Sequence, residues 1–433
     1  MTMAADKQDK VLNVPNKREQ SQTCLNSVER KGLRQKGNVP TLRFPEYVGE
    51  WKKHTLGEMG NGLIGLTYSP AEVVGEGGTI VFRSSNIQNG EISYDDIIRV
   101  NKNIKDNIIT RKGDLLICAR NGSTRLIGKN ALISDEDTGQ TFGAFMLVYR
   151  SNENQFIHKL LNTKKYTTQV SENLGARINQ ITSANLSEFE FYFPQTKAER
   201  DKIAKFLNLV NERIKTQSKI IEDLRSLKAY IHNRVFSKEN TLFGQRNTIR
   251  LSEIATKITR KNKGNTINNV LSNSAAMGIV PQAKVFDKEI ANEDNTANYF
   301  VIGNGDFVYN PRKSAQAPFG PINMYKGQEE GIISPLYLCF QVKNINKNYL
   351  LHYFISNVWY SYIYSNGDTG VRHDRVSIKD EIFLDMPLYI HTVDKQQEIA
   401  KMMDQVDAKI ALEEMYLIKL KKQKNYLLAA MFV

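Results

Sequence analysis

Apolar residues recur along this chain with two different periods, and the longer period is used twice. From Ile203 the pattern advances in alternating steps of four and three through Leu207, Val210, Ile214, Gln217, Ile221, Leu224, Lys228, Ile231 and Val235. From Ile399 the same steps give Met403, Val406, Ile410, Glu413, Leu417, Leu420, Lys424, Leu427 and Met431. Every position is offset by 196, and the polar interruptions match, Gln217 with Glu413 and Lys228 with Lys424. A period of 3.5 residues held this long predicts a coiled-coil seam. Each helix is then on the order of 50 Å long at 1.5 Å per residue. A lone helix with such a stripe would leave its seam in water. The plain alternative is two core helices, each buried in its own domain. The matched interruptions favour the two copies packing on each other.

The shorter period is that of strands. "GGTIVFRSSNIQNGEI", "GDLLICAR" and "GAFMLVYR" are apolar runs bounded by glycine and polar turns. "ENQFIHKLLNTKKYTTQVSEN" and "KNYLLHYFISNVWYSYIYSN" each predict one helix. The first forty residues are polar and aperiodic and are expected to be loosely ordered.

The repeat reaches beyond the helices. "TLGEMGN" near residue 55 matches "RLSEIAT" near 250, and "RKGDLLICARNGSTRLIGKNAL" matches "GNGDFVYNPRKSAQAPFGPINMY". "LGARINQITSANLSEFEF" matches "TGVRHDRVSIKDEIFLDM". The offsets drift between 192 and 196, as small loop insertions after a duplication would produce. The expected organisation is a polar extension (1–40), a first head (41–197), a helix (198–240), a second head (241–392) and a closing helix (393–433). The fold class is therefore α+β: two tandem mixed α/β heads, each followed by a long helix, with the helices packed as an antiparallel coiled coil.

Composition narrows the class. At 433 residues the chain can bury two or three cores, and a hydrophobic fraction of 41% is that of a globular protein. No apolar run approaches the roughly 18 residues of a membrane span, and the N-terminus has no secretory apolar core. Cys24, Cys118 and Cys339 lie far apart without a CxxC pair, which argues against a zinc knuckle or a disulfide framework. A cytoplasmic location and no membrane partner are expected. The net charge of +13 favours a polyanionic partner. It is spread as +3, +2, +4, +3 and +1 over residues 1–50, 51–197, 198–240, 241–392 and 393–433, so no polybasic tail exists. Nucleic-acid binding would then need a shaped surface.

No motif for chemistry stands out. The chain has no GxxxxGK[ST] loop, no HExxH and no GxSxG, and "YNPRKS" lacks the second proline of an adenine methyltransferase signature. The six histidines (54, 158, 232, 352, 373, 391) show no metal-ligand spacing. No catalytic residue, metal or cofactor is therefore assigned to this chain.

Binding residues do recur in both heads. After the Gly-Asp turn come Arg120, Asn121, Ser123, Thr124 and Arg125 in the first, and Asn310, Arg312, Lys313 and Ser314 in the second. A second cluster holds Arg177, Asn179, Gln180 and Thr182 against Arg372, His373, Arg375 and Ser377. Arg83, Ser84 and Asn86 form a third, in head one only. Arg and Asn can pair with guanine and adenine edges, while Ser, Thr and Lys suit phosphates. The plain alternative is solvated loops with turn-capping Asn and Ser. The aromatic run Tyr349, Tyr353, Phe354, Trp359, Tyr360 and Tyr364 could stack on bases but reads more simply as core.

In order and repetition these elements resemble the specificity subunits of type I restriction–modification systems. "PTLRFPEYVGEWKKHTLGEM" is similar to the family's opening, and "RKGDLLI…G…IGK" to its target-recognition element. "AERDKIAKFLNLVNERI", "KQQEIAKMMDQVDAKI" and "LKKQKNYLLAAMF" resemble its helical regions. Glu199-Arg200 departs from the usual Glu-Gln, and "IHNRVF" is a degenerate end. The resemblance implies a non-catalytic reader of a split, asymmetric double-stranded DNA target, one half per head. It also implies two docked modification subunits carrying S-adenosylmethionine, and restriction subunits using ATP and Mg. The rival expectations are a coiled-coil protein scaffold without DNA specificity, and a self-sufficient nuclease or methyltransferase.

Overall fold

The structure is a computed structural model describing residues 37–174, 179–237, 243–284, 293–368 and 374–433. The chain forms two compact units, Met1–Arg213 with Leu420–Val433, and Ile214–Lys419. Most of the polar extension, up to residue 36, lies outside the described residues.

In the first unit an antiparallel sheet is ordered Asn61–Ile64, Met146–Arg150, Leu115–Cys118, Asn130–Leu132. The two central strands are apolar and buried up to Arg150 because both faces are covered. Leu115, Ile117, Leu147 and Tyr149 enter one core, while Leu116, Cys118, Met146 and Val148 enter another. The Gly-Asp motif makes the turn into the strand. Gly113 holds φ 84°, which suits a residue without a Cβ, and the Asp114 carboxylate accepts from Arg111 N at 2.9 Å. A second, mixed sheet pairs Thr79–Phe82 in parallel with Thr141–Phe142. Lys52–Thr55 lies antiparallel to Glu190–Phe193, the strand that leads into the first long helix.

The second unit repeats each of these choices. Its antiparallel sheet runs Ala255–Lys257, Leu338–Val342, Phe307–Tyr309, Ile322–Met324. Val270–Ser274 pairs in parallel with Gly331–Ile333, and Arg246–Arg250 pairs antiparallel with Pro387–His391. Gly305 again holds φ 84°, and the Asp306 carboxylate accepts from Gly303 N at 2.7 Å.

The long helices are α1 (Lys197–Phe236) and α2 (Val393–Ala430). In the first unit Ile203 and Leu207 of α1 share a core with Leu427, Leu428 and Met431 near the C-terminal end of α2. In the second unit Val235 and Phe236, at the end of α1, share a core with Ile399, Ala400 and Met403 near the start of α2. The helices are clasped and antiparallel, and the reading as two separately buried helices falls. The seam residues Ile203, Leu207, Ile221, Ile399, Met403, Ile410 and Leu420 are buried, and Val210, Ile214, Leu224, Val406 and Leu417 half-buried. Of the polar interruptions, Gln217 donates from Nε2 to Glu413 Oε2 at 2.5 Å, so the mismatch in one helix satisfies that in the other. Lys228 instead pairs with Asp407.

Two expected helices are each broken into two. The first becomes Asn154–Leu160 and Lys164–Leu174 because Thr163 Oγ1 bonds Leu160 O at 2.7 Å and ends the turn. The second becomes Lys347–Ile355 and Tyr360–Asn366, with Ser356 Oγ bonding Tyr353 O at 2.6 Å. Tyr349, Tyr353, Phe354 and Trp359 are core residues, Tyr360 is half-buried, and Tyr364 is exposed.

Candidate nucleic-acid interface

In head one the strand Leu115–Cys118 runs out at Ala119 and Arg120, where the chain enters the first residue cluster. Asn121 Oδ1 accepts from Ser123 N at 3.0 Å, an Asx turn that folds the loop over, and Asn121 Nδ2 donates to Ser84 Oγ at 3.0 Å. Arg120 forms an isolated antiparallel bridge to Gln180, and Ile181 N donates to Ala119 O at 2.8 Å. Three stretches separated by up to a hundred residues in sequence thus meet at one place.

Head two makes the same junction. The strand Phe307–Tyr309 ends at Asn310, whose Oδ1 accepts from Arg312 N at 3.0 Å. Arg312 bridges Arg375, and Val376 N donates to Pro311 O at 2.9 Å. Lys313 N donates to Asp374 O at 2.8 Å. Ser377 is tied to Asp368 by a further isolated bridge.

The side chains divide into those offered to solvent and those used by the frame. Arg120, Ser123, Thr124, Arg125 and Asn179 are exposed in head one, as are Arg312, Ser314 and Ser377 in head two. Ser84, Asn121, Gln180, Lys313 and Arg375 are half-buried at the edges. Four of the expected contact residues already have partners within the chain. Asn86 is fully buried and spends its amide on Ser93 O, Asp96 O and Arg83 N, at 2.8–3.0 Å. Asn310 is 8% exposed and donates to Asn273 O at 2.9 Å. Thr182 caps the helix Ser183–Glu188, its Oγ1 accepting from Asn185 N at 3.1 Å. Arg83 is held by Asp96 at 2.8 Å. Their residue types suit base recognition, but the loops consume them as caps and braces. Arg177, Arg372 and His373 lie outside the described residues.

Reading the sequence missed two apolar positions. Phe145 is 59% exposed, with the Arg120 guanidinium 5.2 Å from its ring centre, and Leu336 is 67% exposed ahead of the corresponding strand of head two. Phe145 was hidden inside the apolar run GAFMLVYR read as a strand, and the stretch around Leu336 was not singled out. Only their place just before strand pairing begins, at Met146 and Leu338, could have separated them. In head two a half-open cleft of about 530 Å³ lies beside the junction, lined by Pro311, Leu336, Arg375 and Ser377, with Lys257 and Asp380 at its side.

Other chemistry is thin. Burial pushes the Cys118 and Cys339 thiols up to about 11 and about 12, away from nucleophilic use. Among the described residues no cluster of His, Cys, Asp and Glu could hold a metal ion. No helix among them is long and apolar enough to cross a membrane.

Fold and junction together define a class: a duplicated α+β protein whose two heads carry matching exposed loop junctions and whose long helices clasp antiparallel. Residues 49–226 match the family model described as the type I restriction modification DNA specificity domain. A solved structure concerned with complex assembly and conformational transition of the type I R-M system is similar with a TM-score of 0.53 and 16% identity. It covers 89% of this chain and 98% of that one. The S subunit of a type I restriction–modification system from M. genitalium is similar with a TM-score of 0.51 and 16% identity, over 91% of this chain and 99% of that one. No curated protein matches the sequence. The family match thus covers head one and the first part of α1, and the likeness to the two solved structures is one of fold along nine tenths of the chain.

Proposed function

We propose that the chain is the DNA-specificity subunit of a type I restriction–modification complex, with each head reading one half of an asymmetric bipartite target. One observation carries the reading. The same β-bridged loop junction recurs in both heads, yet the residues it exposes differ: Arg120, Ser123, Thr124 and Arg125 in one, Arg312, Ser314 and Ser377 in the other. A shared frame with different side chains is what two dissimilar half-sites require, since phosphate contacts position a reader and base-edge contacts specify. The exposed Phe145 and Leu336 offer apolar contact to a sugar or a thymine methyl.

The chain itself supplies no catalysis in this reading. Two modification subunits dock on α1 and α2 and bring S-adenosylmethionine, while restriction subunits bring ATP and Mg. The assembly works on DNA in the cytoplasm, and the helices set the gap between half-sites. Methylation-sensitive sequencing of DNA from cells carrying this chain with its modification subunit tests this directly. The expected result is one split motif with unlike halves. A motif unaffected by this chain would support the protein-scaffold alternative.

A further inference from the structure

The repeat places a histidine and a lysine together in each unit, but only one copy is neutralised. In the second unit His352 Nε2 lies 3.2 Å from Asp404 Oδ1, Asn348 Nδ2 donates to Asp404 Oδ2 at 2.8 Å, and Lys228 pairs with Asp407. The corresponding residues of the first unit are His158 on the helix Asn154–Leu160 and Lys424 on α2. At the helical offset of 196, Asp404 and Asp407 are replaced by Asn208 and Asn211. Both carboxylates are gone.

A cation has been added as well. Lys159 stands where the second unit has Tyr353; it is 3% exposed, and its Nζ lies 3.4 Å from His158 Nδ1. Among the described residues neither Lys159 nor Lys424 has an acidic partner within ion-pair distance, and the His158 Nε2 atom is buried without a hydrogen-bond partner. Burial, reinforced by Lys424, holds the Lys159 ammonium down to about 8. A buried ammonium without a counter-charge is costly, and the cost disappears when a carboxylate supplies both charge and hydrogen bonds.

We infer that His158, Lys159 and Lys424 form a receptor for one carboxylate, carried by an acidic side chain of a protein chain seated on this end of the helix pair. It rests on the docking of modification subunits proposed above, and it makes the two docking positions unequal: the second unit carries its own carboxylates, and the first borrows one. The nearly enclosed Lys159 and the half-buried Lys424 suit the tip of a single side chain better than a phosphate fixed in a duplex backbone.

The test restores what the second unit has. Asn208→Asp with Asn211→Asp in the full chain should raise the melting temperature of the free protein. It should also weaken binding of one of the two cognate modification subunits about tenfold or more, as measured by calorimetry. Lys159→Met provides a second variant and should act in the same direction. Inorganic phosphate at constant ionic strength is the probe for a free anion. If phosphate protects the wild type and not the variants, while modification-subunit affinity stays unchanged, the partner-borne assignment is overturned. Unchanged affinity and unchanged melting in both variants overturn the receptor altogether. A wild type that binds no modification subunit would sink the docking reading instead.

Discussion

Four buried histidines set how the protein responds to acid, and burial lowers His352 too, against the pull of Asp404. Burial lowers His158 to about 3, with Lys159 and Lys424 adding to it. It lowers His232 to about 4, aided by His352, and His391 to about 4, aided by Arg246. Unfolded imidazoles titrate near 6.5, so below that pH the unfolded chain takes up protons that the folded chain refuses. The stability these groups contribute is full above about 6.5 and is lost as pH falls toward 4. The melting temperature of the free chain should therefore drop steeply across that window, and His232→Gln should flatten the drop. An acid response unchanged in the variant would count against the assignment. At this scale the sequence was partly legible. Arg120, Arg125 and Arg312 are exposed as expected, because loops after a Gly-Asp turn face solvent. The internal bonds of Asn86, Asn310 and Thr182 were not legible, because residue type does not reveal whether an amide or hydroxyl is spent on a neighbouring backbone.

At the scale of elements the two long helices are held by an apolar seam crossed by polar pairs such as Gln217–Glu413 and Lys228–Asp407. Leu207 is 2% exposed within the first core, so Leu207→Ala should cost about 2–5 kcal/mol in that unit, measured by denaturant unfolding. Glu413→Ala removes the acceptor facing the buried Gln217 side chain and should cost about 1–3 kcal/mol. A null effect there would mean that the Glu413 backbone carbonyl, which also accepts from Gln217 Nε2 at 3.2 Å, is enough to satisfy the amide. The helices were legible because a seam must keep its period over many turns. The breaks at Thr163 and Ser356 were not, since an apolar face continues across them while a hydroxyl bonding the carbonyl three residues earlier ends the turn.

At the scale of the whole molecule the duplication is the organising fact. The same strand order in the antiparallel sheet, a parallel pair in the mixed sheet, the same Gly-Asp turns and the same loop bridges occur in both units. Offsets between 192 and 196 made the repeat readable without any alignment to other proteins. The junction of separate loops was not readable, because it depends on backbone pairing between stretches more than fifty residues apart. The most direct measurement is methylation-sensitive sequencing of DNA from cells carrying Arg120→Ala or Arg312→Ala with the modification subunit. Losing one guanidinium should relax recognition by about 1–3 kcal/mol at the positions it reads. The account predicts that the two variants alter different halves of the split motif and leave the gap unchanged. If both altered the same half, or neither altered the motif, the assignment of one half-site to each head would be contradicted.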